Sequence, residues 1–206
     1  AAVLCELEPS LGVKEARSAD FNSNRAKILE NNEICSFYSE EFRKITGVTI
    51  FLNSKKIYFE LVGIQTNLYK NFIIQSWNLL SKIGISGLIH PFGPYEDAVG
   101  GKLRELIYHR LISAYNFYNE LPLFADVGHQ ASFSLNIYGA RKDKIEFHLI
   151  SNLFHPNTIG NSYVHKNEHA PIPGIKTETN QWNTKAHCHR LVTITEKELA
   201  LFSRLL

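Results

Sequence analysis

Metal-binding side chains are concentrated near the end of the chain, where the run HCHR at 187–190 supplies His187, Cys188 and His189. Imidazole nitrogens and thiolates are the usual protein ligands of zinc. If the run is a strand, neighbouring side chains point to opposite faces, so only His187 and His189 could share an ion. Because no second ligand pair follows at zinc spacing, we predict no metal site. A metal at these two histidines would instead favour a metal-dependent nuclease.

Other catalytic and phosphate-binding motifs are weak. The sequence has no Walker-type loop and no Gly-x-Gly-x-x-Gly pattern. Gly100 and Gly101 open a predicted helix, whose backbone N–H groups could receive a phosphate, although a tight loop-to-helix turn is the simpler interpretation. Ser132 and Ser134 lack the strand–turn–helix context of a nucleophile elbow.

The composition is that of a globular protein, with 206 residues, 44% hydrophobic and 20% charged. A formal net charge of +2 is too small to indicate a nucleic-acid-binding protein and does not exclude one. The three cysteines have no close spacing, and three cannot all pair, so we expect a reduced, cytoplasmic protein. No apolar run approaches the roughly 18 residues that a membrane-spanning helix needs, and no membrane association is predicted.

The clearest structural pattern begins at Asn67 and ends at Pro91. Apolar residues recur at helical spacing on two faces, one with Leu68, Phe72, Leu79 and Ile83, the other with Tyr69, Ile73, Trp77 and Leu80. We therefore expect a helix that is buried on two sides. The apolar run at 85–90 then predicts a buried parallel strand, which Pro91 ends. After a loop, a second helix is predicted with Asp97 as its N-cap.

Alternating or apolar runs follow, and they predict strands at 113–119, 133–139, 145–150 and 191–194. The predicted fold class is α/β: helix, parallel strand, helix, then antiparallel edge strands, with a polar extension at the C-terminal end. Residues 152–190 are polar and lack periodicity. We predict a domain over 1–151, with 152–206 as a linker and the start of a recognition region. Thr195 and Glu198 form a predicted capping box for a last helix.

Several stretches carry a resemblance to a known family. They are NLYKNFIIQSWNLLSKIGISGLIHP, LIHPFGPYEDAVGGKLRELIYHRL, YNELPLFADVGHQASFSLNIYG and GIKTETNQWNTKAHCHR. In order and spacing they resemble the second half of the amino-type (N6-adenine) DNA methyltransferases, the Eco57I-like and TaqI-like enzymes of restriction–modification and phage-defence systems. The resemblance implies a Rossmann-like sheet. Ligands of such sheets lie beyond the carboxyl ends of the strands, so residues 91–101 should face the cleft.

The resemblance also implies roles for particular residues. Phe72 would pack against the adenine of the methyl donor, S-adenosylmethionine, with the protein core as the alternative. Phe124 would stack on the flipped target adenine, whereas its competitor Phe133 is expected in the core. Apart from the resemblance, the polar segment 152–190 carries Lys176, Trp182, Lys185 and Arg190, and we expect it to contact double-stranded DNA or to lead into the part that does. An ordered surface loop is the alternative. Subunits of a restriction or defence system are further expected partners.

The family's donor-binding loop and its Asn/Asp-Pro-Pro-aromatic tetrad are absent from the sequence. With no methionine and no clear caps at its ends, we interpret the chain as an interior piece of a longer protein. It would begin just downstream of the catalytic motif, hold no catalytic residue of its own and be inactive alone. A non-catalytic DNA-recognition module and a metal-dependent nuclease remain the alternatives.

Overall fold

The structure, a computed structural model, describes residues 2–7 and 18–205. The chain divides into two compact units, residues 1–57 and 58–206. In the first unit the described elements are helices α1 (Ala2–Leu7), α2 (Ser18–Ile28) and α3 (Asn32–Leu52). The side chain of Asn31 caps α3 by accepting hydrogen bonds from the backbone N–H groups of Glu33 and Ile34.

The second unit contains five strands and five α-helices among the described residues. Its strands are β1 (Ser86–Pro91), β2 (Leu111–Tyr118), β3 (Ser132–Tyr138), β4 (Glu146–Leu153) and β5 (Val192–Thr195). Its helices are α4 (Leu68–Leu79), α5 (Gly93–Glu96), α6 (Gly101–Tyr108), α7 (Asn157–Val164) and α8 (Glu196–Leu205). The strands after β1 lie where the alternating patterns predict them, and the α/β class is confirmed.

The strands form one mixed sheet in the order β1-β3-β2-β4-β5. β2 and β4 pair in parallel, and the other neighbours pair antiparallel. The expectation that β1 is a buried parallel strand is wrong, because β3 inserts between β1 and β2 and leaves β1 at the edge of the sheet. β1 nevertheless runs in the same direction as β2 and β4, since two antiparallel steps separate it from β2.

The main core lies between α4, α6 and the sheet. Ile73, Ile74 and Trp77 of α4 are buried there with Leu103 and Ile107 of α6. The second apolar face of α4 is exposed, with Leu68, Phe72 and Leu79 between 53% and 83% accessible. The expectation that α4 is buried on two sides is therefore wrong in this structure.

Two predicted boundaries also change. Asp97 is not the N-cap of α6, which begins at Gly101 after Gly100; its carboxylate instead accepts a hydrogen bond from the Val99 N–H and pairs with Lys70. The boundary expected after residue 151 does not separate compact units, because β4 continues to Leu153 and β5 pairs with it.

The end of the chain follows the predicted pattern. Glu198 accepts hydrogen bonds from both the backbone N–H and the hydroxyl of Thr195, which confirms the capping contact at the start of α8. Cys5, Cys35 and Cys188 are free thiols. Across residues 2–7 and 18–205, none of the helices combines the length and the apolar character that crossing a bilayer would require.

Candidate functional site

The carboxyl ends of β1, β2 and β4 lie on the same edge of the sheet, because these three strands run in the same direction. Pro91, Tyr118 and Leu153 are their last residues. Three strand-to-strand steps separate β1 from β4, a span of about 14 Å. Open α/β sheets bind ligands beyond such an edge. The loops that leave it are therefore the candidate site, and we refer to them as the carboxyl edge.

A cavity of about 380 Å³ lies at the β1 end of this edge. Its walls come from the start of α4, including Asn67 and Tyr69, and from the segment after β1, including Gly93 and Glu96. A Cβ atom on Gly93 would lie 2.8 Å from the Tyr69 hydroxyl, so a larger residue here would displace the end of the Tyr69 side chain. The structure thus brings part of the 91–101 segment to a cavity, as expected for a segment that faces a cleft.

A buried ion pair lies in the wall of this cavity. Lys70 is 5% exposed, and its ammonium donates to the Asp97 carboxylate at 3.0 Å and to the Gln65 carbonyl at 3.3 Å. The hydrogen bond from Lys70 lowers the pKa of Asp97, with a smaller contribution from the Val99 N–H. These fixed charges make the cavity suited to a polar ligand. The sequence-based reasoning missed both residues, although a lysine inside the apolar pattern of α4 was a signal.

His90 organises a buried polar network at the end of β1. Its Nδ1 lies 2.8 Å from the Pro91 carbonyl oxygen, so Nδ1 carries the proton. Its Nε2 accepts from the Tyr138 hydroxyl and from the Asn136 amide, each at 2.9 Å. The Tyr95 hydroxyl donates to the side-chain Oδ1 of Asn136 at 2.5 Å. Burial lowers the pKa of His90, and the network holds the imidazole neutral.

Phe124 lies in the middle of the carboxyl edge, in the loop from β2 to β3. Its ring is 42% exposed and meets the ring of Phe133 edge-on, at a centroid distance of 5.0 Å. Phe133 stacks in turn on Phe117 at 5.2 Å. It packs against a second, smaller core cluster, formed by Tyr115, Phe117, Ile150 and Leu153. The backbone of Phe124 is bonded to the side chain of Asn119, which is fully buried. Phe133 is thus a core-facing residue, as expected, and Phe124 presents an accessible ring in a fixed position.

Lys176 and Trp182 form a compact pair near the β4 end of the edge. The two residues face each other across an isolated antiparallel bridge, and the Lys176 ammonium lies 3.1 Å from the centre of the Trp182 ring. The indole also packs on Phe154, directly after β4, at a centroid distance of 4.7 Å. Lys176 is exposed, so its charge remains accessible to an anionic ligand.

The side chain of Arg190 is hydrogen-bonded to the backbone of Lys185. The Arg190 guanidinium donates to the carbonyl oxygens of Lys185 and Asn152, both at 2.8 Å. Arg190 is only partly exposed, and burial lowers its pKa. Arg190 therefore connects the end of the polar segment to Asn152 near the end of β4, while the Lys185 side chain is exposed.

Phe72 lies apart from these groups on the outer face of α4. The alternative that it is a core residue is wrong, because its side chain is 60% exposed. The cavity at the start of the same helix is lined by Tyr69 and Lys70, and Phe72 is outside its lining.

A cluster of metal-binding groups occupies the far end of the polar segment. His165, His187 and Cys188 each bring one ligand atom into a group whose members all lie within 4.8 Å of one another. The assumption that 187–190 is a strand is wrong, because Cys188–Arg190 form a turn of 3₁₀ helix. That turn brings the neighbouring residues His187 and Cys188 to one side, whereas His189 stacks on His187 without joining the group.

Comparison with known proteins yields no match to any described protein family and no match to a curated protein sequence. The geometry of the carboxyl edge and of the polar segment therefore carries the functional inference.

Proposed function

We propose that this chain is part of an S-adenosylmethionine-dependent adenine-N6 DNA methyltransferase of a restriction–modification or phage-defence system. The observation that carries the proposal is Phe124 at the carboxyl edge of the sheet, whose ring is half-exposed and whose backbone is hydrogen-bonded to buried Asn119. An enzyme that methylates adenine N6 must flip the base out of the duplex, at a cost of a few kcal/mol. Stacking on an aromatic ring is worth about 1–3 kcal/mol per base, which offsets much of that cost.

The positions of the other candidates along the edge support this function. The cavity beside Lys70 and Asp97 and the pair formed by Lys176 and Trp182 lie on either side of Phe124 in strand order. With a flipped base at Phe124, we expect the exposed Lys176 ammonium to contact a phosphate of the duplex. Such contacts fix the position of the duplex and do not read its sequence.

Phe72 is the proposed contact for the methyl donor in the intact enzyme. Its exposed ring offers the apolar surface that an adenine ring packs against. S-adenosylmethionine supplies the methyl group when bound, and the donor loop and the Asn-Pro-Pro-aromatic tetrad of the family would come from another part of the enzyme. The role of this chain is then to hold the target base and the DNA, and it is inactive alone.

A DNA-recognition module without catalysis is the second candidate. The Lys176–Trp182 pair favours it, because an exposed cation held over a partly buried indole suits nucleic acid with or without a methyl donor. A metal-dependent nuclease gains less support. The ligands in the His165 cluster are nitrogen and sulfur atoms, whereas the Mg²⁺ of nucleases prefers oxygen ligands.

The test uses the intact enzyme with Phe124→Ala. Sequencing of DNA from cells that express the enzyme first identifies the methylated adenine, and 2-aminopurine then replaces it in a duplex. Because stacking is lost, we expect lower turnover and a changed 2-aminopurine signal. Val127→Ala, a truncation of an exposed residue in the same loop, is the matched control.

Two results would contradict the proposal at different levels. If Phe124→Ala gives the turnover and base-flipping signal of the parent, Phe124 is not the stacking residue. If the intact enzyme methylates no adenine while it still binds duplex DNA, the recognition module is the correct function.

A further inference from the structure

The two ends of the polar loop at 166–186 meet at the cluster of His165, His187 and Cys188. The imidazole rings of His165 and His187 lie 4.6 Å apart, and Cys188 Sγ lies 3.8 Å from His187 Nδ1. His187 is 1% exposed, so this meeting point is largely closed to solvent.

The hydrogen bonds of His187 fix its tautomer, so that the unprotonated nitrogen is Nδ1, the one near Cys188. Its Nε2 lies 2.9 Å from the Ala170 carbonyl oxygen, an acceptor, so Nε2 carries the proton. Its Nδ1 is then unprotonated and accepts the backbone N–H of His189 at 3.1 Å. A histidine that binds a metal commonly donates its other ring N–H to a carbonyl in this way, which fixes the tautomer and the ring orientation.

His165 supplies a second, independent observation. Its Nδ1 is buried and has no hydrogen-bond partner in the part of the chain that the structure describes. A buried polar nitrogen without a partner is unfavourable, because it has lost its hydrogen bonds to water. His165 is also one of the three residues whose ligand atoms lie together with those of His187 and Cys188. A cation bound by this nitrogen would satisfy it.

We propose that His165, His187 and Cys188 bind one Zn²⁺ ion. Zinc–sulfur bonds of about 2.3 Å and zinc–nitrogen bonds of about 2.0–2.1 Å place tetrahedral nitrogen and sulfur ligands about 3.6 Å apart. The observed 3.8 Å between His187 Nδ1 and Cys188 Sγ is close to that value. The remaining separations, all within 4.8 Å, would shorten towards about 3.6 Å on binding.

Binding exchanges a defined set of bonds. The Cys188 thiol loses its proton to solvent and the thiolate sulfur bonds the metal. His187 Nδ1 gives up the hydrogen bond from the His189 N–H and donates its lone pair to the ion, while Nε2–H stays on Ala170. Three protein ligands leave the fourth tetrahedral position to a water molecule.

The ion would close the loop at 166–186, which carries Lys176 and Trp182. Its ligands His165 and His187 flank this loop directly, and a cross-link at the two ends removes conformational freedom from everything between them. The metal would therefore hold the candidate DNA-contacting pair in place without touching it. This proposal does not depend on methyltransferase activity.

The experiment titrates Zn²⁺ into the tag-free 206-residue chain in competition with a chromogenic chelator. Co²⁺ serves as the spectroscopic probe of thiolate ligation. We expect one ion per chain and a thiolate-to-cobalt absorption band. Cys188→Ser should abolish the band, and His165→Gln should weaken zinc binding by more than about 100-fold, beyond what loss of an outer partner causes.

Matched controls are Cys35→Ser, a partly exposed thiol in the other unit, and His169→Gln, an exposed histidine within the loop. Both should bind Zn²⁺ like the parent. In the parent, Zn²⁺ should also slow proteolytic cleavage within 166–186 by about tenfold, since a closed loop opens less often. Far-UV circular dichroism of each metal-free variant checks that the fold is kept.

The proposal fails if the parent binds no Zn²⁺ in competition with the chelator. It also fails if folded Cys188→Ser and His165→Gln both bind as tightly as the parent. Loss of the cobalt band in Cys35→Ser, with the band kept in Cys188→Ser, would place the ion elsewhere.

Discussion

Asn119 bonds the backbone of Phe124 on both sides of the residue. Its carboxamide oxygen accepts from the Phe124 N–H at 3.1 Å, and its amide donates to the Phe124 carbonyl oxygen at 2.9 Å. The same amide donates to the Val127 carbonyl oxygen at 2.8 Å. One fully buried side chain thus satisfies three backbone groups of this loop. The position of the Phe124 ring depends on it.

Asn119→Ala should lower the free energy of unfolding by about 2 kcal/mol. The substitution removes three hydrogen bonds and leaves polar backbone groups of the loop without their partner. Urea denaturation measures the loss, and amide exchange should show faster opening at Phe124 and Val127. The control is Asn78→Ala on the exposed face of α4, which should stay within about 0.5 kcal/mol of the parent. Equal stability of the two variants would contradict the anchoring role.

Phe72 and Ile73 are neighbours on α4 with opposite environments, 60% and 0% exposed. Phe72→Ala should change the free energy of unfolding by no more than about 0.5 kcal/mol, as exposed sites usually do. Ile73→Ala should cost about 2–5 kcal/mol, because it leaves a cavity in the core. Urea denaturation separates the two.

In the intact enzyme, Phe72→Ala should in addition weaken binding of S-adenosylmethionine. Unchanged donor affinity in the folded variant would show that Phe72 is not part of the donor site.

The strands were predictable because their signal is local. The alternating runs that became β2, β3 and β4 need only their own residues to show a period of two. Strand order was not predictable in this way. The insertion of β3 beside β1 depends on pairing between residues far apart in the chain, such as Ile89 with Leu135, which no local pattern encodes.

The candidate site shows the same division. The resemblance points to Phe124, but its anchor Asn119 is an ordinary polar residue in the sequence, and its hydrogen bonds to the loop appear only in the folded chain. The grouping of His165, His187 and Cys188 was not predicted because HCHR was assumed to be extended. A turn at Cys188 changes which side chains meet, and His165 lies at the other end of the intervening loop.

His90 should make stability depend on pH. Burial lowers its pKa in the folded protein, while the unfolded chain keeps the ordinary value of about 6.5. The unfolded state therefore binds more protons below that pH. The contribution of neutral His90 to the free energy of unfolding should be fully present above about pH 6.5 and should be lost as the pH drops through that value. The reason is that protonated Nε2 would face the donors of Tyr138 and Asn136.

Urea denaturation of the parent and of His90→Asn between about pH 5 and 8 measures this contribution. The variant should be less stable at neutral pH, yet its stability should fall less steeply on acidification. His169→Gln, which changes an exposed histidine, should keep the slope of the parent. If His90→Asn and the parent lose stability in parallel, His90 does not supply the proton linkage.

Lys176 should contribute to DNA affinity through charge alone. Its ammonium is exposed and is held over the Trp182 ring at 3.1 Å, on the side of the sheet where β4 ends. A lysine that neutralises one phosphate releases about one counterion, so its loss lowers the slope of log K against log salt by about 1. We expect Lys176→Gln to weaken binding of a labelled duplex, as followed by fluorescence anisotropy between about 50 and 200 mM salt.

The matched control is Lys144→Gln, which changes an exposed lysine just before β4 and hence at the opposite edge of the sheet. It should leave affinity and slope unchanged. If the two substitutions change affinity and slope equally, DNA affinity depends on the net charge of the protein. The polar segment would then not be the DNA-binding surface.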